Sequence, residues 1–215
     1  ELNNPLATLA AHSELAEDLV KALQNKSDSD DMRDLSEYFE VIQEQAFRCK
    51  EIIKDLLDLT RKEGFESVSL DINAVLEDGL RLIDFGKLKI SVRKDLKKDV
   101  PLVRADASAL RQVILNVITN AIDAVQGKNS ALIIFRTYAD GLSVTVECED
   151  NGMGIPDAIA DKIFEPFFTT KELGKGIGLG LALCYELLGK MGGRIEAESK
   201  PGKGSTFRIA LPIAD

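Results

Sequence analysis

The chain has 215 residues, with 27 Lys or Arg and 36 Asp or Glu, which gives a formal net charge of -9 at pH 7. A chain of this length suggests one or two domains and is long enough to bury a substantial core. Its acidic balance argues against nonspecific nucleic-acid binding, which needs an excess of Lys and Arg to replace counterions, but it does not exclude a nucleotide held in a local cationic pocket.

Two amphipathic helices are predicted at the start of the chain. In residues 2–25 the steps between small or apolar side chains alternate between four and three, as in the heptad seam Leu2, Leu6, Leu9, Ser13, Ala16, Val20 and Leu23. After a polar, acidic loop the same rhythm continues in Leu35, Phe39, Ile42, Ala46, Cys49, Ile53, Leu56 and Thr60. Two such helices form an antiparallel hairpin, and their wide apolar faces favour a homodimer built as a four-helix bundle. A plain coiled-coil spacer has the same periodicity.

The pattern changes after residues 62–67, which we interpret as a linker. Strands are predicted at 68–70, 89–93, 102–104, 132–136, 143–149, 194–198 and 206–211, and helices at 72–83, from Asp106 or Ser108 to 125, and at 179–191. Either Asp71 or Asn73 is suited to cap the first of these helices. Strands and helices mix without regular βαβ alternation, which favours an α+β sandwich over a doubly wound sheet. We therefore expect a helical domain in 1–64 and an α+β domain in 65–215.

The segment Asp150-Asn-Gly-Met-Gly-Ile155 follows an alternating apolar strand. The two glycines allow backbone conformations closed to other residues and let a flat ligand approach closely. Asp150 would then offer an acceptor at the floor of a cleft, suited to the exocyclic amine of adenine. By itself the pentapeptide Asp-x-Gly-x-Gly is more often a plain turn after a strand.

Four polar side chains are predicted to share one stripe of the helix that ends near Val125: Gln112, Asn116, Asn120 and Asp123. A lone Asn-x-x-x-Asn is more often explained by a solvent-exposed helix face. Magnesium, however, prefers oxygen ligands completed by phosphate, and amide oxygens suit that task beside a polyphosphate.

A glycine-rich run, Gly174-Lys-Gly-Ile-Gly-Leu-Gly180, leads into the predicted helix at 179–191. Exposed N–H groups at a helix start form an anion site, and the helix dipole adds to it. A flexible surface loop is the alternative. That alternative leaves the direct continuation of the glycines into an apolar helix without explanation.

The order and spacing of these blocks, together with Phe164-Glu-Pro-Phe-Phe-Thr-Thr-Lys171, resemble the ATP-binding domain of sensor histidine kinases, in the superfamily that includes gyrase-type ATPases. The first residues, Glu1-Leu-Asn-Asn-Pro5, resemble the phosphoacceptor box of these kinases without its histidine. The resemblance covers nearly the whole chain.

This resemblance implies a set of ATP contacts. Asp150 would accept a hydrogen bond from adenine N6, Asn120 would hold Mg²⁺, and Asn116 would support the metal and the phosphates. Some family members carry Lys at the position of Asp123, so Lys171 becomes the preferred cation for the phosphates. The phenylalanine block would pack beside the glycine-rich lid. The remaining implied contacts are Gly152, Gly154, Ile155, Gly174, Gly176, Gly178, Leu179, Gly180 and, near the adenine, Thr206.

The resemblance also places the phosphoacceptor histidine immediately before Glu1. Glu1 would orient and deprotonate the imidazole, and Asn4 would position water for dephosphorylation of a partner. His12 lacks this context, and we do not expect it to carry phosphate. The implied function is transfer of the γ-phosphoryl group of ATP to that histidine and then to an aspartate of a response-regulator receiver domain.

Two other functions are weighed against this one. A gyrase-like ATPase does not explain the predicted hairpin or the Glu-Leu-Asn-Asn-Pro box. A pseudokinase scaffold does not explain the intact Asn, Asp and glycine blocks. No apolar run approaches the roughly 18 residues of a membrane span, and Cys49, Cys148 and Cys184 lack zinc-type spacing, which favours reduced core thiols. We therefore expect a cytoplasmic location, with membrane contact only through upstream regions.

Overall fold

The computed structural model describes residues 3–23, 35, 37–43, 45, 46, 49, 53, 66–171 and 177–214. The chain divides into two compact units, residues 1–61 and 62–215, and each is described by itself. The predicted domain boundary after residue 64 stays a prediction. None of the helices within the described residues combines the length and apolarity that a membrane crossing requires.

The first unit contains helix α1 (Asn3–Leu23) and a second helical stretch that includes residues 37–43. The two stretches are in contact, because the ring of His12 lies edge-on to that of Tyr38 with centroids 5.9 Å apart. Of the predicted seam, Ala16 is buried within this single chain, whereas Leu6 is 52% exposed. An exposed seam residue of this kind is available for burial against a second copy.

The described residues of the second unit form two sheets and three α-helices. The strands are β1 (Ser67–Leu70), β2 (Ser91–Leu96), β3 (Val103–Asp106), β4 (Leu132–Asp140), β5 (Ser143–Asp150), β6 (Arg194–Lys200) and β7 (Gly204–Pro212), and the helices are α2 (Ile72–Arg81), α3 (Ala107–Val125) and α4 (Gly180–Lys190). A five-stranded sheet has the order β2-β4-β5-β7-β6, and a two-stranded sheet pairs β1 with β3. In the larger sheet β2 runs parallel to β4, and the other neighbours are antiparallel. The α+β architecture predicted from the sequence is confirmed.

Two aspartates set where helices begin. The side chain of Asp71 accepts from the N–H groups of Asn73 and Ala74 at the start of α2. The carboxylate of Asp106 accepts from the N–H groups of Ser108 and Ala109 at the start of α3, at 2.9 Å each. Each satisfies donors that the first turn of a helix leaves unpaired. The structure thus selects Asp71 and Asp106 from the two predicted pairs of candidates.

The two faces of the large sheet differ in chemistry. One face carries apolar side chains such as Phe135, Val146 and Ile209, all almost fully buried. The opposite face carries an ion-pair row in which Glu147 accepts from Arg136 at 2.6 Å and from Arg208 at 2.8 Å. Side chains alternate along a strand. Asp150, at the end of β5, therefore lies on the same face of the sheet as Val146 and Cys148.

Two segments differ from the prediction. The strand predicted at 89–93 begins only at Ser91 and extends to Leu96. Lys89 adopts a positive φ of 57° and donates to the carbonyl of Gly86, so it belongs to a turn, and the predicted start was wrong. A short 3-10 helix at Asp157–Lys162 was not predicted.

Candidate functional site

Asp150 is the last residue of β5 and lies directly opposite Ile133 on β4 and Ser205 on β7. Its side chain is almost fully buried, and Oδ1 accepts from the N–H of Gly152 at 2.7 Å. Oδ2 is buried and has no hydrogen-bond partner among the described residues. Burial raises the pKa of this carboxyl, and the N–H groups of Gly152 and Ser205 and the charge of Lys128 act in the opposite sense. The end of β5 therefore offers one buried acceptor that lacks a donor.

The turn after Asp150 is held tightly between α3 and the end of β6. A Cβ on Gly152 would lie 2.4 Å from the carbonyl oxygen of Ala124, and one on Gly154 would lie 2.2 Å from that of Lys200. Gly154 also has a φ of +70°, a conformation that glycine adopts without strain. Met153 N donates to Ala124 O at 3.1 Å, which fixes the turn against the last turn of α3. The glycines are thus required by close backbone packing.

Two serines line the same side of the sheet as Asp150. Ile155 N donates to Ser199 Oγ at 2.7 Å, and Ser199 Oγ donates to the carbonyl of Gly204 at 2.9 Å. Ser205 Oγ lies 2.9 Å from Ser199 Oγ. Since the hydroxyl hydrogen of Ser199 is already used, Ser205 is the donor of that pair. This chain of bonds ties Ile155 to the strand that pairs with Asp150.

The structure places Thr206 on the face of the sheet opposite to Asp150. Thr206 is the register partner of Glu149 on β5 and of Glu198 on β6, which belong to the charged face. Residues directly opposite each other in antiparallel strands project to the same side. The side chain that accompanies Asp150 is therefore Ser205, which is buried, and not Thr206 as the sequence suggested. The sequence does not show the register in which β7 pairs with β5. With that register known, Ser205 would have been identified as the residue opposite Asp150.

The polar stripe of α3 is confirmed as a stripe, because Gln112, Asn116, Asn120 and Asp123 are partly exposed while the opposite side is buried. Asn116 Nδ2 donates to the carbonyl of Gly180 at 3.2 Å, at the first turn of α4. Asp123 forms an ion pair with Lys171. The stripe therefore contacts Lys171 at the end of the phenylalanine block and Gly180 at the start of α4.

The glycine-rich run is described only from residue 177 onward, so the predicted contacts of Gly174 and Gly176 lie outside the described residues. Gly178 has a φ of +74°, and a Cβ there would lie 2.4 Å from the carbonyl oxygen of Phe168. Phe167 N donates to Gly178 O at 3.0 Å, and Leu179 is buried. The phenylalanine block and the start of α4 are thus packed together, with Phe164 and Tyr185 at a ring distance of 6.1 Å.

The predicted phosphoacceptor residues are only partly covered. Glu1 lies outside the described residues, and Asn4 is described as part of the backbone of α1 but not by its side chain. His12 is described: its Nδ1–H donates to the carbonyl of Thr8 at 2.9 Å, one turn earlier in α1. With one nitrogen bonded to its own helix and its ring against Tyr38, His12 has a structural role in the first unit.

The donor set fits a purine nucleotide with Mg²⁺. The unpartnered Oδ2 of Asp150 complements an amine hydrogen, and a buried acceptor gains most from a donor that replaces lost water. The amide of Asn120 would offer Mg²⁺ a neutral oxygen ligand, that of Asn116 would support the metal, and Lys171, paired with Asp123 on the same stripe, would supply a cation. Gly152 and Gly154 would leave no side chain between the turn and a flat ring.

Comparison with known proteins supports this assignment. Residues 105–215 match the family described as histidine kinase-, DNA gyrase B-, and HSP90-like ATPase, and residues 1–65 match the His Kinase A (phospho-acceptor) domain. The sensor kinase CckA of Brucella abortus is 37% identical over 186 residues, which are 80% of this chain and 20% of that protein. AtoS of Escherichia coli, a signal transduction histidine-protein kinase, is 31% identical over 99% of this chain and 33% of its own length.

Among solved structures, the catalytic domain of the histidine kinase ThkA superposes with a TM-score of 0.62 at 28% identity, covering 69% of this chain and 96% of that one. ThkA in complex with the response regulator protein TrrA covers all of this chain and 59% of that one, with a TM-score of 0.76 at 22% identity. The latter likeness concerns the fold alone. The chain spans only a fifth to a third of the lengths of CckA and AtoS.

Proposed function

Because the chain belongs to the two-component sensor histidine kinase family, we propose that its second unit binds ATP with Mg²⁺ and transfers the γ-phosphoryl group to a histidine. That histidine stands immediately before Glu1 in our proposal, and the phosphoryl group passes from it to an aspartate of a response regulator. The proposal that this unit binds a nucleotide rests on one observation, the buried and unpartnered Oδ2 of Asp150.

The base is held by the end of β5 and the turn after it. Asp150 Oδ2 accepts from adenine N6, and Ser205, the buried partner across the sheet, lies beside it. Ile155, together with Gly152 and Gly154, forms the wall on which the ring packs. A guanine ring would present a carbonyl oxygen to Asp150, so the same carboxylate favours adenine through an acceptor–acceptor mismatch.

The phosphates lie along the polar stripe of α3. Asn120 is the Mg²⁺ ligand and Asn116 supports the metal and the phosphates, since hard cations prefer oxygen ligands. Lys171 is the phosphate cation; it forms an ion pair with Asp123, in which the two side chains are 35% and 44% exposed. A pair this exposed contributes about 0–1 kcal/mol, so a triphosphate can displace the carboxylate. Gly178, Leu179 and Gly180 present the start of α4 to the same anion.

The chemistry rests mainly on positioning and charge neutralisation. Mg²⁺, when bound, neutralises charge on the phosphate oxygens. The side chains of Asp150 and Ser205 fix the base, and Asn116 and Lys171 orient the phosphate chain. Glu1 orients the acceptor imidazole and removes its proton, and Asn4 positions water when the partner is dephosphorylated.

Two partners complete the proposal. The first is a second copy of this chain, joined through the seams of α1 and the second helical stretch in a four-helix bundle. The second is a response-regulator receiver domain. ThkA, whose fold is similar over the whole chain, has been solved with its response regulator TrrA, which supports a receiver domain as the partner.

Phosphotransfer is tested with ATP labelled at the γ-phosphate, by following acid-labile, base-stable phosphohistidine. The 215-residue chain should bind ATP without labelling itself. A chain extended by a short upstream helix that ends in histidine before Glu1 should become labelled, and Glu1→Gln in that background should slow labelling sharply. Label on His12 of the 215-residue chain would overturn the placement of the acceptor and the roles of Glu1 and Asn4.

A further inference from the structure

Lys128 lies in the turn that follows α3, outside the sequence motifs quoted above. Its backbone N–H donates to Val125 O at 3.1 Å, which places its side chain beside the turn after β5. The ammonium group donates to the carbonyl of Asn151 and to that of Gly152, the latter at 3.3 Å. One cation thus bridges the two carbonyl oxygens that directly follow Asp150.

The electrostatic setting explains why a cation is needed there. The carbonyl groups at the end of a helix carry partial negative charge, and the last turn of α3 is packed against Gly152 through Ala124 O. The Asp150 carboxylate is therefore buried close to the negative end of a helix.

Burial is the largest influence on the carboxyl of Asp150 and raises its pKa. Among the described residues, the charge of Lys128 lowers that pKa, and the charge of Glu149, on the other face of the sheet, raises it. The neighbouring thiol of Cys148 stays neutral because burial raises its pKa. On α3, Asp123 is paired with Lys171. The stripe residues Asn116 and Asn120 carry no charge. Lys128 thus acts against the helix end and against burial, although burial remains the largest effect and keeps the pKa of Asp150 raised.

We propose that Lys128 is a positioning residue that sets base specificity: by bridging the carbonyls of Asn151 and Gly152, it holds Asp150 with Oδ2 as a pure acceptor facing the base. This inference rests on the proposed binding of a purine triphosphate to the second unit. An ionised carboxylate accepts from the 6-amino group of adenine. A 6-oxo base such as hypoxanthine presents an acceptor at that position and pairs only with a protonated carboxyl.

Loss of the cation therefore has a distinct signature. The turn loses its bridge, and Asp150 takes up a proton at higher pH, which turns Oδ2 into a donor. Binding of ATP weakens, whereas binding of inosine triphosphate is spared or improved. A purely structural role would weaken both nucleotides equally.

The experiment is calorimetric titration of ATP and inosine triphosphate, each with Mg²⁺, into the full 215-residue chain and its variants at pH 6 and pH 8. Lys128→Met should weaken ATP binding about 3- to 10-fold, the net scale of one ordinary hydrogen bond, and change the inosine triphosphate affinity less than 2-fold. The ATP loss should be larger at pH 6. Lys128→Arg should keep most of the ATP affinity, because it retains a cation and donors.

Two further variants make the outcome decisive. Lys98→Met removes the same charge at an exposed turn after β2 and should behave as the unmodified chain. Lys128→Gln keeps hydrogen-bond donors but removes the charge, so it should fold even if Lys128→Met does not. It should still lose the preference for ATP over inosine triphosphate. Suppose that the unmodified chain binds ATP more tightly than inosine triphosphate. If Lys128→Gln then has the same two affinities as Lys98→Met, the proposal for Lys128 is overturned, whereas the proposal that the chain binds ATP stands. Equal losses for both nucleotides also overturn it. Absence of ATP binding to the unmodified chain would instead contradict the proposed function.

Discussion

Replacing Asp150 with Asn tests the centre of the site with almost no change in shape. Oδ1 of Asp150 already accepts from Gly152 N at 2.7 Å, and Oδ2 is buried and unpartnered. In Asp150→Asn the amide oxygen must keep the bond to Gly152, so the amide NH₂ takes the place of Oδ2 and faces the amine of adenine. Two donors then oppose each other in a buried position.

The magnitude follows from the burial. A buried donor without an acceptor costs about 1–3 kcal/mol, which corresponds to a rise in the Kd for ATP of about 5- to 150-fold. A purine riboside triphosphate lacks the amine, so its affinity should change far less. Titration calorimetry with both nucleotides and Mg²⁺ measures the difference directly.

Stability measurements supply the control. Burial raises the pKa of Asp150, so its ionised form costs stability above the folded-state pKa, and this cost disappears as the pH falls below the unfolded value of 3.8. Asp150→Asn removes that cost, so the free variant should be at least as stable as the original chain near neutral pH, with a difference that shrinks in acid. Unchanged ATP affinity in a folded variant would refute the assignment of Asp150 to adenine.

Further predictions concern the metal, the base and the assembly. Asn120→Ala should lower Mg²⁺-dependent ATP affinity and leave adenosine binding nearly intact; an equal loss for both ligands would make Asn120 a support of the fold. Ser205→Ala should weaken ATP binding by about 1 kcal/mol, while Thr206→Val, on the other face, should leave it unchanged; the reverse order would restore Thr206 as the adenine contact. Light scattering should show residues 1–64 as a dimer and residues 66–215 as a monomer, and a monomeric hairpin contradicts the four-helix bundle.

The predictions that the structure confirms rest on interactions between residues close together in the sequence. Asp71 and Asp106 cap their helices through bonds to residues two and three positions away, a range over which a sequence can be read directly. The polar stripe on α3 follows from the helical period alone. Asp150 stands at the end of a strand because alternation stops where the glycines begin. In each case the interacting groups are neighbours in sequence, so propensity and periodicity are sufficient.

Contacts between segments far apart in the chain could be identified only from the tertiary structure. Ser205 becomes the partner of Asp150 only through the register of β5 with β7, and a shift by one residue would put Thr206 there instead. Lys128 contacts the turn after Asp150 across 23 residues of chain, and Asp123 contacts Lys171 across 48. Sequence patterns alone were sufficient to show which groups are suited to hold a nucleotide and roughly which element carries each. How these groups meet was decided by strand pairing and helix packing, because the energies that select one register arise from side chains buried together by segments far apart in the chain.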